Sequence, residues 1–141
     1  MGHLPVPFGH DPLEPVRIDD EGLVQRLVEA GVEVLDIGLC GTEMVYFATK
    51  HLGADGGIMV TASHNPADYN GLKLVREDAK PISADTGLKE IRKLAERDQR
   101  KDDNGHGSRQ RINVFDDYIE HMLGYVDAAK LAPLKLVVNA G

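Results

Sequence analysis

The sequence predicts an α/β domain. Short runs rich in Val, Ile and Leu alternate with segments of helical period, and glycine stands at most of the joints between them. The length points the same way: 141 residues suit one domain and are short for two. An apolar fraction of 42% allows a modest buried core.

Taken in order, Met1 to about Asp20 shows no periodicity, holds four of the seven prolines and reads as an irregular lead-in. Leu23, Leu27 and Val28 mark a short helix, with Gly31 just past its end as a C-cap. Val32–Ile37 reads as a strand. Gly38 and Gly41 flank a turn, after which Thr42 is the expected N-cap of a helix through Met44, Phe47, Ala48 and Leu52 that stops at Gly53. Ile58–Ala62 is the next strand. Helix, strand, helix, strand with short joints is the pattern of crossover units.

Asn70-Gly71 tolerates positive φ and marks a sharp reversal into a strand over Leu72–Val75. Pro81-Ile82-Ser83 leads into a helix carried by Leu88, Ile91, Leu94 and Ala95. Arg97–Arg111 is almost wholly polar and is expected to be a solvated loop. Val114, Tyr118, Met122 and Tyr125 recur on one helical face. Leu134–Val138 reads as a last strand, and the Asn139-Ala140-Gly141 that follows resembles the opening of another βα unit, so the chain is expected to be part of a longer fold.

Composition excludes several classes of function. A formal net charge of −7 gives no electrostatic support for a nucleic-acid partner. No apolar run approaches the roughly 20 residues that cross a membrane, so no membrane partner is expected. Met1–Asp11 lacks the basic and apolar regions of a secretory signal. Cys40 is the single cysteine; no internal disulfide can form, and a cytoplasmic location is expected. Cys40 itself ends an apolar stretch and reads as a buried, unreactive thiol.

One string stands out as chemistry: Gly56-Gly57-Ile58-Met59-Val60-Thr61-Ala62-Ser63-His64-Asn65-Pro66. A buried strand runs into a tight polar loop that holds a hydroxyl beside an imidazole, which suits a nucleophile that carries a phosphoryl or acyl group. Serines in such loops commonly serve only the turn, bonding nearby backbone. Here Ser63 sits at a strand exit, where open α/β sheets place ligands; Pro66 stiffens the loop; and His64, Asn65 and Lys73 can all serve an anion. There is no Gly-x-Ser-x-Gly elbow and no Gly-Lys-Ser/Thr phosphate loop. His51, His106 and His121 lack ligand spacing, and the pairs Asp19-Asp20, Asp102-Asp103 and Asp116-Asp117 read as caps or solvated faces.

Thr61-Ala62-Ser63-His64-Asn65-Pro66 resembles the phosphoserine loop of the α-D-phosphohexomutases, the phosphoglucomutase and phosphomannomutase superfamily. The likeness extends through Gly31–Gly38, Gly41-Thr42-Glu43, Asp68–Lys73 and the run Leu134–Gly141, and the wording of Gly38–Glu43 and Arg76–Gly87 is similar to that of bacterial phosphomannomutases. The resemblance implies a mixed, mostly parallel sheet sandwiched by helices, incomplete at both ends in this chain. It implies that Ser63 is phosphorylated and passes its phosphoryl group to a hexose phosphate through a bound bisphosphate. His64 and Lys73 would assist catalysis, and Ser63, His64, Asn65 and Lys73 would meet the substrate. Mg²⁺ would be the cofactor, held by Ser63 as phosphoserine.

The expected organisation is a lead-in over 1–20, the phosphoserine-bearing domain over 21–132 with its loop at 61–66, and the first strand of a second domain over 133–141. The expected reaction interconverts mannose 6-phosphate and mannose 1-phosphate for nucleotide-sugar synthesis. Alternatives are a truncated, non-catalytic chain of the same family, a phosphoglucomutase or a phosphoglucosamine mutase. The family's first strand and arginine loop have no counterpart here; Gly9-His10-Asp11 matches only a following turn, and Arg17 has no assignment. The metal, sugar and phosphate-clamp loops belong to later domains, so those domains are expected partners. The open sheet edge predicts self-association.

Overall fold

The structure, a computed structural model, describes residues 20–66, 68–97 and 106–139. It is α/β, as expected. Helix α1 (Asp20–Glu29) precedes strand β1 (Glu33–Asp36), helix α2 (Thr42–His51), strand β2 (Gly56–Val60) and strand β3 (Leu72–Arg76). A two-residue strand β4 (Lys80–Pro81), helix α3 (Lys89–Glu96), strand β5 (Ser108–Arg111) and helix α4 (Phe115–Leu123) complete the set. The strands fall into a parallel pair, β1 with β5, and an antiparallel sheet in the order β2-β3-β4. In the first, Glu33 faces Ser108 and Asp36 faces Arg111; in the second, Gly56 faces Arg76 and Val60 faces Leu72.

Both early helices end where glycine allows it. After α1, Gly31 takes φ +83° and donates to Val28 O, while Val32 N–H reaches Leu27 O. After α2, Gly53 takes φ +63° and donates to Lys50 O, while Ala54 N–H reaches Thr49 O. These paired bonds satisfy the last carbonyls of each helix, and the left-handed residue between them is glycine because a Cβ is disfavoured there. At its other end α2 starts one residue earlier than expected. Gly41, in extended conformation, is the N-cap, and Thr42 is already helical, with no side-chain capping bond.

The core is centred on α2. Val45, Ala48 and Thr49 are buried there, with Val75 from β3 and, at 2% exposure, Val114 before α4. A Cβ at Gly57 would overlap Thr49 Oγ1 and meet Val45 Cγ1 at 3.0 Å. Glycine at that position therefore lets α2 lie directly on β2. Phe47 stacks on His51 at 4.8 Å and meets Tyr118 edge-on at 5.5 Å, which docks α4 on the other side of α2. His51 also pairs with Asp117 at 3.4 Å. Both contacts are structural.

Three expectations need correction. The polar stretch Arg97–Arg111 was expected to be loop throughout, yet Ser108–Arg111 is a strand; residues 98–105 lie outside the description. All four residues of β5 are exposed, so no apolar alternation announces it, and charge pairs hold it in place instead. Asn70-Gly71 does not make the reversal: neither residue takes positive φ, and β2 joins β3 through the whole of residues 61–71. Leu134–Val138 forms no strand among the described residues and is exposed along its length. A strand requires a hydrogen-bonding neighbour, and none lies beside it among the described residues. The prolines and histidines before Asp20, with Gly9-His10-Asp11 and Arg17, lie outside the described residues, as do the last two residues.

Candidate functional site

The loop after β2 is shaped by its own polar groups. Thr61 N–H donates to Gly71 O at 2.9 Å, closing the base beyond the last ladder pair. Thr61 Oγ1 accepts from Ser63 N–H at 2.9 Å. Asn65 N–H donates to Ala62 O at 3.1 Å, making a four-residue turn with Ser63 and His64 at its centre. Tyr69 N–H donates to Pro66 O at 3.0 Å and folds the far arm back. Residues 63–66 are exposed.

Ser63 has φ +54°. That left-handed conformation is natural for glycine and costs a serine about 1–2 kcal/mol. Strain of this kind gathers at sites where position matters more than stability. The residue is exposed on the turn. The hydroxyl lies 3.2 Å from His64 Nδ1, so an imidazole unprotonated at Nδ1 accepts from it. Ser63 is thus the left-handed residue of this turn.

Lys73 stands on β3 opposite Met59, at the end of the hairpin from which the loop springs. By strand alternation it shares a face with the buried Val75. Its side chain is exposed and makes no ion pair among the described residues. The structure therefore places Ser63, His64 and Asn65 in one turn and Lys73 at its foot. Asn70 shapes the return to β3, its Oδ1 accepting from Gly71 N–H at 3.0 Å.

A second charged constellation escaped the sequence reading. Asp36, at the end of β1 and only 14% exposed, accepts from Arg109 Nη2 at 2.7 Å, Arg111 Nη1 at 3.0 Å and the Gly38 N–H at 2.8 Å. Arg109 also holds Glu21 of α1, with Nη2 to Oε1 at 2.9 Å. Hydrogen bonding to Arg109 keeps the carboxyls of Asp36 and Glu21 below the usual carboxylate range, and the same bonds raise the Arg109 guanidinium. Gly38, at φ +75°, lies flat under the Arg111 guanidinium, where a Cβ would clash. The signal existed in the sequence: an acid closing an apolar strand needs a partner, and Arg109 and Arg111 sit at the spacing that puts both on one strand face. Cys40, next to this turn, is half-buried; burial pushes its thiol up, and the Asp36 carboxylate adds to the effect. That agrees with an inert thiol.

Mg²⁺ requires several oxygen ligands in octahedral array. The described residues contain no group of three His, Cys, Asp or Glu side chains placed to hold a metal. The Ser63 loop by itself does not make such a site. No described helix is long and apolar enough to cross a membrane.

A family model described as phosphoglucomutase/phosphomannomutase, alpha/beta/alpha domain I, matches residues 19–102. The chain belongs to this family. The matched stretch includes the whole of the Ser63 loop and Lys73. A protein of Escherichia coli strain K12 named phosphomannomutase is 57% identical over 132 residues, covering 89% of this chain and 29% of its own length. One of Vibrio cholerae with the same name is 52% identical over 130 residues, covering 89% of this chain and 28% of its own. A Xanthomonas campestris protein named phosphohexose mutases is 53% identical over 137 residues, covering 97% and 31%. This chain therefore spans less than a third of the length of the relatives it matches. What it shares with these phosphohexomutases is domain I and the loop built on it.

Proposed function

We propose that this chain is the phosphoserine-bearing domain of a phosphomannomutase, an intramolecular phosphotransferase that interconverts mannose 6-phosphate and mannose 1-phosphate. The relatives' printed names support the substrate, and family membership supports the reaction class. The observation that carries the reading is Ser63 itself: an exposed serine at positive φ whose hydroxyl lies 3.2 Å from an imidazole nitrogen.

In this reading Ser63 Oγ carries a phosphoryl group. A sugar hydroxyl oxygen attacks phosphorus in line, the bond from phosphorus to Ser63 Oγ breaks, and the proton given up by the sugar ends on Ser63 Oγ. The second half-reaction reverses those steps with the phosphate at the other sugar position. His64 Nδ1 holds the travelling proton beside Ser63 Oγ. The Lys73 ammonium offsets charge spreading over the transferred group, and Asn65 bonds the ligand. Mg²⁺ is proposed as the counter-ion of phosphorylated Ser63, with its other ligands drawn from the rest of the family's fold; it would neutralise the phosphoryl oxygens. A cytoplasmic location goes with sugar phosphates and a lone thiol. The product would feed nucleotide-sugar synthesis.

Intact mass and fragmentation test this directly. A full-length relative whose domain I is replaced by residues 20–132 of this chain is expected to carry one phosphate on Ser63 after incubation with mannose 1,6-bisphosphate, and none when Ser63 is alanine. A chimera left unmodified while the unaltered relative is labelled in parallel overturns the proposal. The Xanthomonas relative's broader name favours a second reading, a mutase of several phosphohexoses. Equal labelling by glucose 1,6-bisphosphate would select it.

A further inference from the structure

Asn70-Gly71 is left without a turn to make, since neither residue takes positive φ. The pair sits in the return arm of the Ser63 loop, immediately before β3, and Asn70 is exposed to water. Gly71 N–H donates to Asn70 Oδ1 at 3.0 Å. That contact holds the backbone nitrogen of residue 71 close to the side-chain amide of residue 70, whose Cγ carries the accepting oxygen. Glycine has no side chain to keep the two groups apart. The other described asparagines lack one or more of these features. Asn65 is followed by Pro66, whose nitrogen has no proton to lose. Asn113 turns its Oδ1 to the Phe115 N–H at 3.0 Å, and its next residue is the β-branched Val114, 2% exposed. Asn139 precedes Ala140, which carries a Cβ.

We propose that Asn70 is a site of spontaneous covalent modification that loosens the Ser63 loop as the protein ages. Gly71 N gives its proton to water and bonds to Asn70 Cγ. The Cγ–Nδ2 bond breaks, and the amide nitrogen takes a proton from water and leaves as ammonia. A five-membered cyclic imide then joins residues 70 and 71. Water opens it at either carbonyl. Attack at Cγ gives aspartate on the normal backbone; attack at the main-chain carbonyl of residue 70 gives isoaspartate, whose chain runs through Cγ and is one carbon longer. In both, one water is taken up, one ammonia is lost and a carboxylate appears. The loop is held by the Thr61–Gly71 bond at its base and the Tyr69–Pro66 bond in its far arm, and residue 70 links the two. An extra backbone carbon in that link changes its length and direction, so one bond or the other must give. In the function proposed above, on which this clause alone rests, the new carboxylate also opposes the anion carried by Ser63.

Incubation of the full chain at neutral and mildly alkaline pH, followed by peptide mapping with fragmentation, tests the chemistry. Asn70 is expected to convert progressively in the folded chain, while Asn65 and Asn113 stay intact. Conversion is expected to be faster at the higher pH, because the attacking nitrogen must lose its proton. Asn104, which also precedes a glycine, lies outside the described residues and is followed separately in the same map. Enzymatic methylation of the isoaspartyl carboxylate reads the longer product. The modified chain is expected to exchange the amide of Thr61 or Tyr69 faster than the fresh chain. An Asn70→Ser chain carried through the same incubation is expected to show no such drift. An Asn70 that stays intact in the folded chain over the time in which half of it converts in urea overturns the proposal. So does isoaspartate at residue 70 with exchange at Thr61 and Tyr69 unchanged. Neither readout uses phosphorylation of Ser63, so failure of the proposed function leaves both as they are.

Discussion

Ser63→Gly and Ser63→Ala separate the strain at the loop from its chemistry. Both changes remove the hydroxyl and with it the contact to His64 Nδ1, an exposed bond worth about 0.5–1 kcal/mol. They differ in what remains at φ +54°. Alanine keeps a Cβ in a conformation that costs about 1–2 kcal/mol. Glycine is relieved of that cost but gains freedom in the unfolded chain, which offsets about 0.4–1 kcal/mol. The net expectation is that the glycine chain is more stable than the alanine chain by about 0.5–1 kcal/mol. Urea unfolding followed by circular dichroism reads this as a midpoint shift of about 0.3–0.5 M for a slope near 2 kcal/mol/M. Neither variant is expected to take up phosphate. An alanine chain as stable as the glycine chain would show that residue 63 is not strained in solution.

Other outcomes follow from the same geometry. Asp36→Asn removes the charge shared by Arg109 and Arg111 and is expected to cost about 2–3 kcal/mol in urea unfolding, with β5 exchanging its amides first. Because Asp36 and Glu21 titrate below the ordinary carboxylate range, their contribution is complete above about pH 5 and disappears as pH falls through their folded values; the Asp36→Asn chain should lose less stability on acidification than the parent. Gly57→Ala drives a Cβ into the buried Thr49, whose hydroxyl is fixed to Val45 O at 2.7 Å, and should cost about 1–3 kcal/mol by overpacking. A coupled assay with mannose 6-phosphate is expected to show no turnover by this chain above its Ser63→Ala control, since one hydroxyl without grouped carboxylates lacks most of the electrostatics of phosphoryl transfer; turnover at ordinary mutase rates would refute it.

The elements that could be read from the sequence are those specified by neighbours in the chain. Gly31 and Gly53 ended helices where expected, because a left-handed cap is a local requirement. The apolar runs of β1, β2 and β3 and the face of α4 were legible from period alone, and so was the loop string that carries Ser63, His64 and Asn65. The tertiary structure decided what depends on distant partners. Four polar residues became β5 because Asp36 and Arg109, 73 positions apart, meet and share their charge. Leu134–Val138 has every local mark of a strand, yet forms none among the described residues. Ser63, not the Asn-Gly pair, took the left-handed turn, because the β2–β3 register and the Thr61–Gly71 bond fix where the chain must bend. Hydrogen-bond ladders and charge pairs bind residues far apart in sequence, and no local pattern encodes which partner is present.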